Sequence, residues 1–280
     1  MPAERIAANL AFINWTVLTG LAVGSFAAVV LARMRTDATR GFLAFTAACA
    51  VALGILALLS DVGLPTAVEG GPVAADPAWD VPRRVALIAF LLLASAMVIA
   101  LASGRRASRL GLAGLIAGVA TLLLGAATWG GGALSGAPLA VQLLILAAVT
   151  GGVFAAMILG HWYLVTPRLP EGPLVLFARI LMALVGLQLL LSLVWLATSA
   201  GPGGGGDGPF AALIGPWALF VWLRLVVGLA FPLVLSWAAV QTARSRSMES
   251  ATGLLYIDVG AIASGTILAA GLYFAGGLLV

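Results

Sequence analysis

The 280-residue sequence carries very little charge: Asp, Glu, Lys and Arg make up 9% of it, whereas hydrophobic residues make up 62%. Soluble domains have roughly 25% charged and about 45–50% apolar residues, so the composition excludes an ordinary soluble protein. Lysine is absent, and all 14 basic residues are arginine. The formal charge of +4 does not indicate a nucleic-acid partner, because the arginines fall in short clusters between apolar runs instead of forming a basic face with exposed aromatic residues.

Cysteine and histidine occur once each, as Cys49 and His161. One cysteine excludes a disulfide within the chain, and the two residues cannot build a Cys/His zinc site, so we predict no metal centre. One histidine also excludes a haem held by two histidines of this chain. A chain without lysine has no P-loop, and there is no candidate serine triad, so the sequence leaves open whether the protein is an enzyme.

Long hydrophobic runs dominate what remains, and a run of about 20 apolar residues is enough for a helix to cross a bilayer. The sequence therefore predicts an all-α, polytopic transmembrane bundle of about eight helices, forming a single integral membrane domain over residues 1–280. The first run is followed by Arg33 and Arg35 and not by a cleavage site, so we expect a retained helix. The eight predicted spans are 9–32, 41–60, 84–103, 110–129, 138–165, 173–199, 210–239 and 251–279.

The arginines predict the orientation, because cytoplasmic connections are enriched in positive charge. Nine arginines follow the odd-numbered spans, three lie on the opposite side, and two lie within spans, so we expect both termini outside the cytoplasm. The residue usage is typical of a GC-rich bacterial genome, which predicts a location in the bacterial cytoplasmic (inner) membrane. The nine arginines that follow odd-numbered spans are Arg33, Arg35, Arg40, Arg105, Arg106, Arg109, Arg168, Arg244 and Arg246, and the three on the opposite side are Arg5, Arg83 and Arg84.

Two outer connections are rich in Gly and Pro, 61–82 and 201–208. We expect the first, which contains four acidic residues, to be a solvated loop without fixed structure, with a docking surface or lid as the alternative. The G-x-x-x-G spacings at Gly20 to Gly24 and Gly114 to Gly118 predict close helix packing. Trp15, with its neighbour Asn14, is expected to belong either to a second polar site or to an interfacial belt.

Four ionisable residues fall within predicted spans, where burying them is costly unless they have a function or a partner. Arg179 and Asp258 lie at similar depth, so they form either a structural ion pair or part of a functional site. Arg224 then lacks an acidic partner and could bind an anionic ligand, a lipid phosphate or a quinone carbonyl. Neighbouring rings could hold it instead, and two prolines predict kinks on both sides of it. The rings are Trp217, Phe220 and Trp222, and the prolines are Pro216 and Pro232.

The fourth ionisable residue, His161, lies in the string Gly160-His161-Trp162-Tyr163-Leu164-Val165-Thr166-Pro167-Arg168. Such a membrane-edge histidine is either a hydrogen-bonded anchor or a group that passes protons.

Two sets of strings resemble known families. Gly160–Leu164 with Thr166-Pro167, and the later Arg246–Tyr256, resemble a family of bacterial polytopic membrane proteins of uncharacterised function. Thr19–Gly24 and Leu58–Pro65 resemble the polysulfide reductase membrane-subunit family, in the first quarter of the chain only. That second resemblance implies an eight-to-ten-helix, quinone-reactive partner of redox subunits, although Leu64 replaces the usual basic residue of its Asp-x-Gly-x-Pro string.

The sequence therefore predicts an integral membrane subunit of a larger electron-transfer complex, in contact with lipid and with other membrane subunits. A quinone is the expected cofactor, near the cytoplasmic leaflet. His161 or Tyr163 would donate to a quinone oxygen, Asp258 would carry a proton, and Arg179 would adjust its acidity. A small-solute transporter with Arg224 as the binding charge and a purely structural membrane subunit are the alternatives.

Overall fold

The computed structural model describes residues 1–105, 108–132, 135–166, 169–204 and 208–280. Within these ranges the secondary structure is entirely helical. Arg106, Pro167 and Arg168, which enter the charge pattern and the family strings, lie outside the described residues.

The described residues contain ten α-helices, and eight helical segments among them are long and apolar enough to cross a membrane. The predicted all-α bundle is thereby confirmed, and the eight segments fit a multi-pass membrane protein. The helices are α1 (Pro2–Ala8), α2 (Leu10–Arg35), α3 (Arg40–Val62), α4 (Asp80–Ala102), α5 (Ser108–Trp129), α6 (Ala137–Val165), α7 (Gly172–Thr198), α8 (Ala218–Leu225), α9 (Phe231–Arg244) and α10 (Met248–Gly276). Short 3₁₀ turns lie at Pro77–Trp79 and Ala211–Leu213.

Local chemistry explains several helix boundaries. The hydroxyl of Thr39 accepts a hydrogen bond from the backbone N–H of Phe42 and so caps the start of α3. Arg33 and Arg35 lie in the last turn of α2, where positive charge is favourable to the helix dipole. A proline lies in the first turn of both α6 and α7, where its missing N–H is not needed.

The seventh segment begins later than predicted and is interrupted near its middle. Its helix begins at Ala218 and not at residue 210, because the chain forms a 3₁₀ turn and passes Pro216 first. A π-helical turn, Val226–Ala230, then joins α8 to α9, immediately before Pro232. The predicted interruption after Arg224 is confirmed, whereas Pro216 lies outside the helix and kinks nothing.

Helices α2 and α6 form the centre of the bundle. In each, 72% of the most apolar stretch is buried, against 33–44% in the other six segments. Their backbones touch, because a Cβ atom added to Gly24 would lie 1.8 Å from the carbonyl oxygen of Ala147, and one added to Gly151 would lie 2.1 Å from the amide nitrogen of Ser25. The G-x-x-x-G spacing of α2 therefore serves close packing, as predicted.

Adjacent glycines of α6 provide a matched test of this contact. We expect Gly151→Ala to destabilise the protein by about 1–3 kcal/mol, since its methyl group would meet the backbone of α2. Gly152→Ala is the control, because nothing lies within 4 Å of a Cβ atom there. Thermal unfolding of both variants in one detergent is the measurement, and equal midpoints would contradict the close contact.

Candidate functional site

The buried polar groups that converge most closely lie at the end of the bundle where α3 ends and α4 begins, the Asp61 end. The carboxylate of Asp61, fully buried in the last turn of α3, accepts hydrogen bonds from three side chains. The Nε atoms of Arg83 and Arg84 lie 2.9 and 2.8 Å from its two oxygens, and the indole nitrogen of Trp15 lies 2.9 Å away. Three helices thus meet on one side chain.

The position of Asp61 explains why it needs cations. A carboxylate at a helix C-terminus is repelled by the negative end of the helix dipole. Arg84 offsets this repulsion through two contacts. Its Nε pairs with the carboxylate, and its Nη2 donates to the backbone carbonyl of Asp61, at 3.2 Å. Taking a charge out of water costs several kcal/mol, and full pairing with hydrogen bonds is what offsets that cost.

Arg83 extends the network to α5. Its Nη1 donates to Asp80 at 2.7 Å and to the hydroxyl of Thr128 at 3.0 Å. Its guanidinium carbon lies 4.7 Å from the ring centre of Trp129 and 5.7 Å from that of Trp15, within the range of cation–π attraction. Since the two arginines balance Asp61 and Asp80, the network is formally neutral.

A cavity of about 140 Å³ lies against this network, and we call it the Asp61 chamber. Its walls combine the charged groups with aromatic rings, and its roof comes from the connection between α3 and α4. The lining residues are Phe12, Asp61, Leu64, Pro65, Thr66, Ala75, Asp80, Arg83, Arg84 and Trp129.

The roof is attached to the bundle, which corrects the expectation of a loop without fixed structure. The side-chain amide of Asn9 donates to the carbonyl of Glu69 at 2.9 Å and accepts from its N–H at 3.3 Å. The N–H of Asp76 donates to the carbonyl of Thr128 at 2.8 Å. Two of the four acidic residues assigned to this loop, Asp61 and Asp80, belong to helices instead.

The residues proposed from the sequence lie at the opposite end, the His161 end, and in the middle of the bundle. His161 is exposed, and its Nδ1 shares a 3.3 Å hydrogen bond with the hydroxyl of Tyr256. Tyr163 is buried and donates to the carbonyl of Pro170. Each side chain has its own partner, so the two do not form one site.

Arg179 and Asp258 do not pair, so the predicted ion pair is wrong. Arg179 is exposed on α7, away from the face that packs on the bundle. Asp258 is fully buried in α10 and accepts a 2.7 Å hydrogen bond from Ser236 of α9. Among the described residues no ion pair involves either of them.

Arg224 is buried in the middle of the bundle, and its Nη1 donates to the carbonyl of Gly228 at 3.2 Å. The rings expected to hold it do not: Trp222 is half exposed and donates to Leu213, and in the described ranges the cation–π contacts are those of Arg83. No group of three or more His, Cys, Asp or Glu residues that could hold a metal ion occurs in the part of the chain described.

The Asp61 network was missed by sequence reasoning, which counted Arg83 and Arg84 only as markers of orientation. A signal was present: successive spans are antiparallel, so the end of one lies beside the start of the next. Opposite charges at those two positions, Asp61 and the Arg83-Arg84 pair, predict an ion pair at one end of the bundle. Of the two residues expected to form a second polar site or an interfacial belt, Trp15 is buried in this network and Asn14 is exposed.

Comparison with protein-family models, with curated proteins and with solved structures finds no match to this chain.

The two acidic residues of the network should differ strongly in importance. Asp61→Asn removes the buried carboxylate that Arg83 and Arg84 share and leaves the network with an excess positive charge. Removing one partner of a buried pair typically costs about 3–5 kcal/mol. Asp80→Asn should cost at most about 1 kcal/mol, because Asp80 is 41% exposed and solvent screens its single contact. Thermal unfolding of both variants in detergent measures the difference, and a larger loss for Asp80→Asn would refute this assignment.

Proposed function

We propose that this chain is an integral membrane subunit of an electron-transfer assembly and that it binds the headgroup of a quinone in the Asp61 chamber. The observation that carries the proposal is the chamber itself: a small cavity, lined by rings and by guanidinium donors, whose charged groups cancel. The predicted quinone is thereby moved from the His161 end to the Asp61 end of the bundle.

The surface of the protein supports placing it in a membrane. Large apolar side chains are exposed on the outward faces of the long helices, where a soluble protein rarely shows a continuous apolar surface. They include Leu59, Leu92, Ile99, Ile116, Leu190 and Leu219, each 62–67% exposed.

The chemistry of the chamber fits a neutral ring with acceptor oxygens. A cavity of about 150 Å³ in another protein holds one benzene ring, so the 140 Å³ of the chamber suits a single six-membered ring. Trp129 and Phe12 supply aromatic faces, and the arginines supply N–H donors for carbonyl oxygens. An anion would unbalance the neutral network, whereas a quinone would not.

The weak family resemblance points to the same place. Within the Leu58–Pro65 string, three residues line the chamber: Asp61, Leu64 and Pro65. Proteins of the polysulfide reductase membrane-subunit family are quinone-reactive partners of redox subunits. With one cysteine and one histidine in the chain, the redox centre that exchanges electrons with the quinone would belong to a partner subunit.

Quinone binding to the purified protein in detergent tests the proposal. A water-soluble short-chain quinone should quench tryptophan fluorescence saturably, since Trp15 and Trp129 flank the network. Arg84→Gln should weaken binding by about 10-fold or more, the effect of losing one charged hydrogen-bond donor. Arg83 and Trp15 continue to hold Asp61 in this variant, which keeps the fold testable.

Arg179→Gln is the matched control, because it removes an exposed arginine of a different helix, and its affinity should equal that of the wild type. His161→Ala should also bind normally. Unchanged affinity in Arg84→Gln, or a loss confined to His161→Ala, would overturn the assignment to the chamber.

The assembly has its own test. Mass spectrometry of the protein purified from native membranes in a mild detergent should detect redox subunits in stoichiometric amounts. Recovery of this chain with bulk lipid alone would contradict the electron-transfer part of the proposal.

A further inference from the structure

Arg224 is a permanent cation held in the middle of the bundle, far from both ends. Its guanidinium lies against Gly265 of α10, since a Cβ atom added to that glycine would lie 2.8 Å from Nη1. The neighbouring residue Thr266 shares a 2.8 Å hydrogen bond with Thr150, which lies near the middle of α6. The side chain is only 1% exposed.

The interruption of the helix between α8 and α9 explains why the guanidinium of Arg224 lies beside Gly228. Pro232 has no N–H, so the carbonyl of Gly228 loses the donor that a continuous α-helix would supply four residues later. Nη1 of Arg224 provides the replacement hydrogen bond. Two glycines, Gly228 and Gly265, approach closely at this crossing, because a Cβ atom on either would lie 2.6 Å from the Cα atom of the other.

The rest of the guanidinium has no protein partner. Among the described residues, nothing accepts a hydrogen bond from Nε or Nη2 of Arg224, although both atoms are buried. The N–H bonds of these two nitrogens lie parallel on one edge of the planar group. This edge is the fork that binds two acceptor atoms, or one anion, side-on.

Its charge is also not compensated by the described residues. The carboxyl of Asp258 is on the same face of α10 as Gly265 but seven residues away, about 10.5 Å along the helix. Asp258 is bonded to Ser236 instead, and Arg224 takes part in none of the ion pairs within 4 Å in the ranges described. An unpaired cation at such depth is strongly disfavoured unless an anion accompanies it.

We propose that Arg224 is the binding site of a compact monovalent anion, held on the Nε–Nη2 edge of its guanidinium. Complete burial favours a compact ligand, because a lipid headgroup or a side chain of another subunit would have to displace packed parts of the bundle to reach this edge. The charge of the anion neutralises an arginine that is buried without a carboxylate partner among the described residues. The site is separate from the Asp61 chamber and does not depend on quinone binding.

Bromide is a suitable probe, because its anomalous X-ray scattering identifies it directly. Thermal unfolding of the purified protein should shift upwards and saturate as sodium bromide replaces sodium gluconate at constant ionic strength, as for one ligand bound to the folded state. The shift should vanish in Arg224→Met, which replaces the cation by an apolar chain. It should persist in Arg179→Met, the same substitution at an exposed arginine.

Equal shifts in all three proteins would indicate an adventitious ion only and would overturn the proposal. An unfolding midpoint of the wild type that does not change with bromide would overturn it as well. If Arg224→Met does not fold, crystals of the wild-type protein grown in bromide decide the matter. An anomalous peak within hydrogen-bond distance of Nε and Nη2 supports the site, and its absence at saturating bromide refutes it. Neither measurement involves quinone, so a negative result would not bear on quinone binding in the Asp61 chamber.

Discussion

The buried carboxylate of Asp61 organises one whole end of the bundle. It receives donors from α2 and α4, and through Arg83 the same network reaches Thr128 of α5. Apolar helices pack against one another with little preference for register, since lipid is as apolar as their side chains. A saturated polar cluster has one geometry, so it specifies which helices meet and at what height.

The sequence predicts the eight long helices because hydropathy depends only on composition along the chain. It does not predict which side chains meet, as Arg179 and Asp258 demonstrate: equal depth gives the height of a residue but not the face of the helix. The buried positions of α7 recur every three or four residues, through Leu174, Ala178, Leu181 and Val185, and Arg179 falls outside that series. The sequence does not reveal this series, because apolar residues lie on every face of α7.

The sequence does not predict the roof of the candidate site, for a different reason. Asp61 and Arg83 are 22 residues apart, and the chain between them is rich in Gly and Pro, with three and four of them, which is typical of an unstructured connection. Its order comes from contacts with distant parts of the chain, above all Asn9 and Thr128. Composition describes a segment in isolation and carries no information on such contacts.

Two buried arginines illustrate how differently one residue type can be used. Arg83 donates hydrogen bonds to two carboxylates and a hydroxyl, and its guanidinium lies near two indole rings. Arg224 donates to a single carbonyl. The first arrangement fixes helices in place. The second leaves two buried nitrogens without an acceptor among the described residues, and such groups require a partner from outside the chain.

The attachment of the roof to Asn9 has a kinetic consequence. Leu64, Pro65 and Thr66 cover the Asp61 chamber, and the pair of hydrogen bonds between Asn9 and Glu69 ties the same connection to the junction of α1 and α2. A molecule entering through the roof has to wait until those bonds break. The rate of exchange through this route then cannot exceed the rate at which the connection opens, which is a local unfolding event.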